Sequence, residues 1–283
     1  MTTQILKDKK LDELILSRGY VVIPFLNPVE VEDMLSFYHQ NHTDDIPGFY
    51  VSIFSSDISL REKISQKIRS IYINHIENNF INYRLIGGNF IVKTNIEKER
   101  IHPHQDWTFI DEENCRGFNI WIPLVDLNEE NGAIRITPGS HLWVKNYCGP
   151  KIQDSFLDKK EEIWQNMTTL YLKAGEALIY DARLFHASFP NQTDQPRVAT
   201  VFGAIPNDAK MYHYIGDGEF VDVYDSNEAF FLSNDINNGA SVLNKVARVK
   251  NHSIKNKNLP VYLNDVGIQI ENKKSWYSRI FKK

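Results

Sequence analysis

The sequence has few cysteines, no long apolar run and little net charge, and each of these features excludes a class of protein or of partner. Cys115 and Cys148 are the only cysteines in 283 residues. Two cysteines outside any Cys-X-X-Cys pair do not build a disulfide framework, which favours a reducing cytoplasm. No stretch reaches the roughly 18 apolar residues of a membrane-spanning helix, and residues 1–10 are polar, so neither integral membrane contact nor a secretory signal is predicted. A formal net charge of -4 gives no overall attraction to nucleic acid, so nucleic acid is not an expected partner.

Apolar periodicity divides the chain into a helical part and a longer β-rich part. In residues 1–85, helical spacing predicts helices at 28–39 and 60–80. Beyond residue 87, short segments rich in β-branched and aromatic residues alternate with polar or Gly/Pro turns. They predict strands at 88–94, 117–124, 133–137, 168–172, 177–180 and 198–204. This pattern predicts a single domain over 1–283, mainly β with flanking helices, with a double-stranded β-helix (jelly roll, cupin-like) core at 87–206.

Two charged segments lie outside this pattern. Residues 141–166 are predicted to form a surface loop or helix inserted in the core. The extension at 207–283 has an acidic, aromatic part at 216–235 and a basic end at 245–283. The basic end is predicted to pack on the acidic part or to close over the active site, although an anionic partner or membrane surface is an alternative.

The tripeptide His104-Gln105-Asp106 is the first candidate for a metal site. Residues i and i+2 of a strand point the same way, so the tripeptide would present an imidazole and a carboxylate side by side. His186 ends the apolar run 177–186, which predicts a buried strand that delivers this residue to a site. Two histidines and one carboxylate form the facial triad of non-haem Fe(II) oxygenases. We therefore predict that His104, Asp106 and His186 bind Fe(II).

Arg197 is the candidate for binding a co-substrate. Residues 190–196 are dense in turn formers, which predicts a hairpin in which the strand of His186 is followed by a return strand beginning at Arg197. A guanidinium near the metal can bind one end of a dicarboxylate while the other end chelates the iron. 2-Oxoglutarate has that shape, and Ser188, on the same strand face as His186, can share its carboxylate with Arg197.

With these motifs the chain resembles the phytanoyl-CoA dioxygenase family of Fe(II)/2-oxoglutarate oxygenases over residues 19–206. The resemblance rests on the segment 19–39, the His104-Gln105-Asp106 tripeptide, the segment 131–141 with its Pro-Gly-Ser-His turn, and His186 with Arg197. It implies a jelly roll, O2 as second co-substrate, and contacts to 2-oxoglutarate from Lys93, Gln105, Trp121 and Ser188. Lys93 could instead be a solvated lysine, and Trp121 could be a core residue.

For three other side chains near the motifs, the sequence allows either a role at the site or an ordinary structural role. His102 shares a strand face with His104 and could compete as a ligand, but Asp106 is preferred because Fe(II) favours a hard anionic oxygen. His102 is then a substrate-binding group or a solvated strand end. Trp107 and Arg183 are further candidates for substrate binding, and packing explains each of them equally well. No catalytic group beyond the metal site is predicted.

The predicted reaction is oxidation, most simply hydroxylation, of an unactivated C–H bond with release of succinate and CO2. Relatives of this family that halogenate have a small residue at the carboxylate position, where this chain has Asp106. The expected substrate is a small polar metabolite or a natural-product intermediate. The alternatives are a cupin-type metalloenzyme that does not use 2-oxoglutarate and a non-catalytic jelly-roll binding module. The first would leave Arg197 and Ser188 without a purpose, and the presence of all three ligands and the arginine argues against the second.

Overall fold

The computed structural model describes residues 4–42, 48–96, 99–143, 146–234 and 250–255. The helices are α1 (Lys9–Arg18), α2 (Pro28–Asn41), α3 (Ile58–Asn79), α4 (Lys160–Asn166) and α5 (Glu228–Ser233), with short 3-10 helices at Ser52–Phe54, Ser140–Leu142 and Leu157–Lys159. The strands are β1 (Tyr20–Pro24), β2 (Phe49–Val51), β3 (Tyr83–Lys93), β4 (Ile101–His104), β5 (Phe118–Pro123), β6 (Ile134–Ile136), β7 (Thr168–Leu170), β8 (Glu176–Asp181), β9 (His186–Ser188), β10 (Arg197–Pro206), β11 (Met211–Asp217), β12 (Phe220–Ser226) and β13 (Lys250–Lys255).

Two antiparallel sheets form the jelly roll that the sequence predicts. The larger sheet has the strand order β1-β8-β5-β10-β3-β2, and the smaller has the order β4-β9-β6-β7. A third sheet, β11-β12-β13, follows them along the chain. The fold class is therefore mainly β with flanking helices, as expected.

Side chains of the larger sheet alternate between two apolar clusters. On β10, Val198, Phe202 and Ala204 pack in the cluster that contains the helices, whereas Ala199 and Val201 pack in the cluster between the two sheets. This is the two-residue period of a strand that is buried on both faces. The helices contribute six fully buried side chains to the outer cluster: Ile15, Met34, Ile64, Ile68, Tyr72 and Ile76. The helical part of the chain thus covers the outer face of the larger sheet.

Local capping explains where the two predicted helices begin. Asn27 and Glu30 form a capping box at the start of α2, and Pro28 occupies the first turn, where its missing N–H costs nothing. Asp57 accepts a hydrogen bond from the Leu60 amide at the start of α3. Both helical predictions are confirmed within two residues of their ends.

The apolar run 177–186 is not one strand, contrary to the sequence-based prediction. Strand β8 ends at Asp181, whose carboxylate accepts hydrogen bonds from the Arg183 amide (3.0 Å) and guanidinium (3.1 Å), and the chain turns there. Strand β9 then begins at His186 in the smaller sheet. The run appears continuous because both strands are buried, while the turn between them depends on a buried ion pair.

The predicted hairpin between the strands of His186 and Arg197 is also wrong. Strand β9 pairs with β4 and β6 of the smaller sheet, whereas β10 pairs with β3 and β5 of the larger sheet. The turn-rich segment 190–196 therefore crosses from one sheet to the other. His186 and Arg197 nevertheless line the same cavity, because the two sheets face each other across it.

Parts of the two charged segments, and both cysteines, lie among the described residues. The inserted segment 141–166 is more than a surface loop, since Phe156 and Ile163 are buried against Phe185. Of the basic end, residues 250–255 form β13 and pair with β12; the rest lies outside the described residues. Both cysteines are free thiols. Within the described chain, no helix combines the length and apolarity needed to cross a membrane.

Candidate metal and co-substrate site

Three side chains from two strands and one loop converge on a candidate metal site. His104 ends β4 and stands directly opposite His186, the first residue of β9. The sequence predicted that the strand presents Asp106, but β4 ends at His104 and Asp106 lies in the loop that follows. The Asp106 amide donates to the Ala182 carbonyl at 3.1 Å. The ligand atoms of the three residues all lie within 4.8 Å of one another. The structure therefore brings the predicted triad together, by a different local geometry.

Neighbouring groups orient each member of the triad. The His104 Nδ1–H donates to the His102 carbonyl at 2.8 Å, and the His186 Nδ1–H donates to the Leu184 carbonyl at 3.0 Å. A carbonyl can only accept, so each Nδ1 carries the proton and each Nε2 keeps its lone pair for a metal. Burial, and then the charge of His186, lower the pKa of His104 to about 4. The imidazole is therefore neutral at pH 7, which is the form that binds a metal.

The Asp106 carboxylate has two hydrogen-bond donors that sequence reasoning missed. Its Oδ2 accepts from the Asn119 amide at 2.6 Å and from the Tyr180 hydroxyl at 3.0 Å. Burial, and then the Asp106 charge, raise the pKa of Tyr180 well above its usual value, so the phenol remains protonated and can donate. Only the alternation of β5 and β8 indicates that these side chains face the interior; their distance from Asp106 depends on strand pairing.

Two cations are buried together on the inner face of the larger sheet. Arg197 is 2% exposed and Lys93 is 1% exposed, and they stand opposite each other on β10 and β3. The Lys93 ammonium donates to the Ser188 hydroxyl (3.0 Å) and to the Phe189 carbonyl (2.6 Å). Burial, and then the charge of Arg197, lower the pKa of Lys93 to about 7. Lys93 is therefore a buried lysine, and its solvated alternative is wrong.

Arg197 has little to balance its charge. Its Nη1 donates to the Gly132 carbonyl at 3.3 Å, and its guanidinium lies 5.2 Å from the centre of the Trp121 ring. Its buried Nε has no hydrogen-bond partner in the part of the chain that the structure describes. Burial lowers the pKa of Arg197 to about 10, with no carboxylate acting on it among the described residues. A guanidinium remains charged at neutral pH, so this end of the cavity attracts an anion.

The remaining candidates divide into two groups. Gln105, Trp107, Trp121 and Ser188 line the cavity together with the triad and Arg197. The structure does not bring His102 or Arg183 to the cavity. His102 is exposed at the strand end, and the Arg183 guanidinium is held in its buried ion pair with Asp181. These positions do not support the predicted contact with substrate, which stays a prediction.

Comparison with known proteins identifies the family. The profile of the phytanoyl-CoA dioxygenase (PhyH) family matches residues 17–199, and the chain belongs to this family. The phytanoyl-CoA dioxygenase domain-containing protein 1 homolog of Dictyostelium discoideum is 26% identical over 219 residues, which are 71% of this chain and 73% of that protein. The predicted family is thereby confirmed.

One further relative shows how little of a longer protein the match covers, and one solved structure shows the fold. An uncharacterized protein of Saccharomyces cerevisiae, YJR154W, is 36% identical over 81 residues, 29% of this chain, and the matched region spans only 20% of that protein. The epimerase SnoN, solved in complex with Fe3+, alpha ketoglutarate and nogalamycin RO, superposes with a TM-score of 0.54 at 23% identity, covering 72% of this chain and 85% of SnoN. The similarity to SnoN confirms the predicted fold.

Proposed function

We propose that this chain is an Fe(II)- and 2-oxoglutarate-dependent dioxygenase that hydroxylates a C–H bond of a small molecule, with O2 as co-substrate and with release of succinate and CO2. The observation that carries the proposal is one cavity lined by both the His104, Asp106 and His186 triad and the buried, anion-free Arg197. A cupin-type enzyme without 2-oxoglutarate would leave this buried cation without a ligand.

The residues present fit ferrous iron. Two imidazoles and one carboxylate are the ligand set of non-haem Fe(II) oxygenases, and they leave positions open for other ligands. The orientation of both Nδ1–H groups toward carbonyls, and of Asn119 and Tyr180 toward Asp106, supplies the outer hydrogen bonds that such ligands normally have. When bound, the iron and its 2-oxoglutarate would supply activation of O2 and oxidation of the substrate.

The residues at the other end fit 2-oxoglutarate. The unpartnered Arg197 Nε and the Ser188 hydroxyl can bind the carboxylate that does not chelate the metal, and Lys93 adds a second positive charge behind Ser188. Trp121 lies against the guanidinium and restricts where the carboxylate can lie. Asp106 occupies the carboxylate position of the triad, which favours hydroxylation over halogenation.

The proposal is tested by titrating the purified protein with Fe(II) and 2-oxoglutarate without oxygen, and recording the visible charge-transfer band of the chelate. We expect a band in the parent and none in His186→Ala, because that variant lacks a ligand. Arg197→Met should raise the 2-oxoglutarate concentration needed for half of the band by about 10-fold or more, since a hydrogen bond to a charged group contributes about 1.5–3 kcal/mol. Arg84→Met, which changes an arginine outside the cavity, is the control and should match the parent. Metal binding without a band in the parent would contradict the proposal.

A further inference from the structure

The cavity extends far beyond the metal and co-substrate site. It follows β10 from Arg197 to Gly203, and on β3 the residues opposite these two are Lys93 and Ile86. Six residues of strand correspond to about 20 Å. Helix α5 packs against β3 and α3, and its residues Phe231 and Leu232 line the cavity, where Phe231 packs in one cluster with Ile86. The total volume is about 550 Å³, which is within the range of sites for drug-sized ligands.

The part of the cavity between the triad and α5, here called the distal chamber, has apolar walls. Its walls include Ile53, Ile86, Trp107, Phe109, Met211 and Phe231. These side chains pack on one another in one hydrophobic cluster, so the chamber is a lined cavity rather than a gap between loops. Apolar walls of this kind stabilise a bound molecule in proportion to the apolar area it removes from water.

The distal chamber offers no free charge. Its charged side chain is Glu228, which accepts hydrogen bonds from the Arg69 guanidinium at 2.6 and 2.8 Å and from the Gly87 amide at 3.0 Å. Apart from the triad, the other charged residue lining the described cavity is Arg197, at the opposite end. A charged substrate group would enter the chamber without a partner, and burying it would cost several kcal/mol.

Two amides of the cavity wall retain hydrogen-bonding capacity. The Gln105 amide nitrogen donates to the Arg183 carbonyl at 2.6 Å, which leaves its side-chain oxygen as an acceptor. The Asn89 side-chain oxygen accepts from the Ser52 hydroxyl at 3.4 Å, which leaves its amide nitrogen as a donor. One acceptor and one donor in an apolar cavity suit a substrate that carries a hydroxyl or carbonyl group.

The rim of the cavity is apolar as well. Phe49 on β2 and Phe54 in the adjoining 3-10 helix line the cavity and are 38% and 47% exposed. Large exposed apolar side chains next to a cavity are typical of a site for apolar molecules. The sequence-based expectation of a small polar metabolite does not fit such a rim and chamber.

We infer that the distal chamber binds an electrically neutral, largely apolar molecule that carries a hydroxyl or carbonyl group, and that this molecule is the substrate class of the enzyme. The inference rests on the proposed function, because it assigns the substrate of that same site. It retains the natural-product part of the expectation from sequence and replaces the polar part.

Binding of Nile red, a neutral apolar dye, to the protein loaded with Fe(II) and 2-oxoglutarate without oxygen tests the inference. We expect saturable fluorescence enhancement, displaced by the neutral steroid progesterone at concentrations at which the anionic pregnenolone sulfate displaces little. Phe54→Lys should weaken dye binding by about 10-fold or more, because it places a charge at the apolar rim. The matched control is Phe220→Lys, since Phe220 is 48% exposed but lies on β12 away from the cavity. It should bind the dye like the parent.

The outcomes separate this inference from the proposed function. Absence of dye binding, binding unaffected by Phe54→Lys, or equal displacement by the sulfated steroid would overturn the inference about the chamber. If the charge-transfer band is present in the same sample, the proposed function stands in each case. The opposite result is also possible to recognise. If the parent gives no charge-transfer band, the dioxygenase proposal is overturned. If the dye still binds to that protein and to His186→Ala, and binds more weakly to Phe54→Lys, the apolar chamber is supported.

Discussion

The larger sheet has an outer face that packs against helices and an inner face that lines the cavity, and the same strands supply both. On the outer face, the hydroxyl of Tyr72 hydrogen-bonds Thr200 at 2.8 Å, and both residues are fully buried. On the inner face, the hydroxyl of Tyr180 bonds the Asp106 carboxylate. The two phenols make similar hydrogen bonds, but one completes a core and the other orients a metal ligand.

The faces differ most in how completely their polar groups are satisfied. The outer cluster is apolar, with its buried hydroxyl paired. Among the described residues, the inner face buries two cations that are paired with no carboxylate, and the Arg197 Nε has no partner. Such groups lower the stability of the empty protein, and their presence indicates a site that a ligand completes. We therefore expect substitutions on the outer face to change the stability of the protein and substitutions on the inner face to change the binding of ligands.

Shortening a side chain of the outer face gives the largest expected effect on stability. Ile68 on α3 is 1% exposed in the outer cluster. Ile68→Ala should lower the free energy of unfolding by about 2–5 kcal/mol, because it removes buried methyl groups and leaves a cavity. Urea denaturation measures the change. Affinity of the folded fraction for 2-oxoglutarate should remain at the parent value.

The control for this prediction lies on the same helix. Ile58 is 43% exposed at the start of α3, and Ile58→Ala should change the free energy of unfolding by less than about 0.5 kcal/mol. Equal losses in the two variants would mean that the outer face is not the core of the protein.

Removing one hydroxyl from each face sharpens the comparison directly. Tyr180→Phe should weaken Fe(II) binding about 10- to 100-fold, because the Asp106 carboxylate loses a donor that orients it. Tyr72→Phe should leave Fe(II) binding unchanged and lower the free energy of unfolding by about 1 kcal/mol, because the buried Thr200 hydroxyl loses its partner. Anaerobic calorimetric titration and urea denaturation, applied to both variants, separate the two effects. A loss of metal affinity in Tyr72→Phe would contradict the assignment of the two faces.

The smallest expected effect concerns the buried lysine and has opposite signs for stability and binding. Lys93→Met should raise the free energy of unfolding at neutral pH by on the order of 1 kcal/mol, because it replaces a buried cation by an apolar side chain of similar length. The same variant should bind 2-oxoglutarate more weakly, because the second positive charge is lost. Chemical denaturation and the charge-transfer titration measure the two quantities.

The pH dependence of the parent provides a second test of Lys93. Its pKa in the folded protein is lowered to about 7, whereas an unfolded lysine remains protonated up to about pH 10.4. Between these values the unfolded chain binds more protons, so the contribution of Lys93 to the free energy of unfolding rises with pH from about 7 to about 10 and is flat below 7. Lys93→Met should lack this rise, whereas Lys173→Met, at an exposed site, should retain it.

Much of the site could be predicted from residue types and spacing. His-X-Asp, a distant histidine and a following arginine predict the proposed metal ligands and the proposed co-substrate cation, because metal and carboxylate chemistry accept few residue types. Helices α2 and α3 follow from local periodicity and from caps within a few residues of their starts. By contrast, the geometry that unites the triad depends on pairing between strands that lie about eighty residues apart in the chain.

The sequence by itself determined the family, the jelly roll and the candidate site, which consists of the three proposed metal ligands and Arg197. Only the tertiary structure decided that the run 177–186 divides between two sheets, that Asp106 lies beyond its strand, that Asn119 and Tyr180 orient it, and that Arg183 is in an ion pair away from the cavity. The apolar distal chamber also became visible only there, since its walls come from segments scattered from Ile53 to Phe231. The physical reason is that residue type and local periodicity act within one turn or strand, whereas a cavity is defined by side chains that only non-local strand register and helix packing bring together.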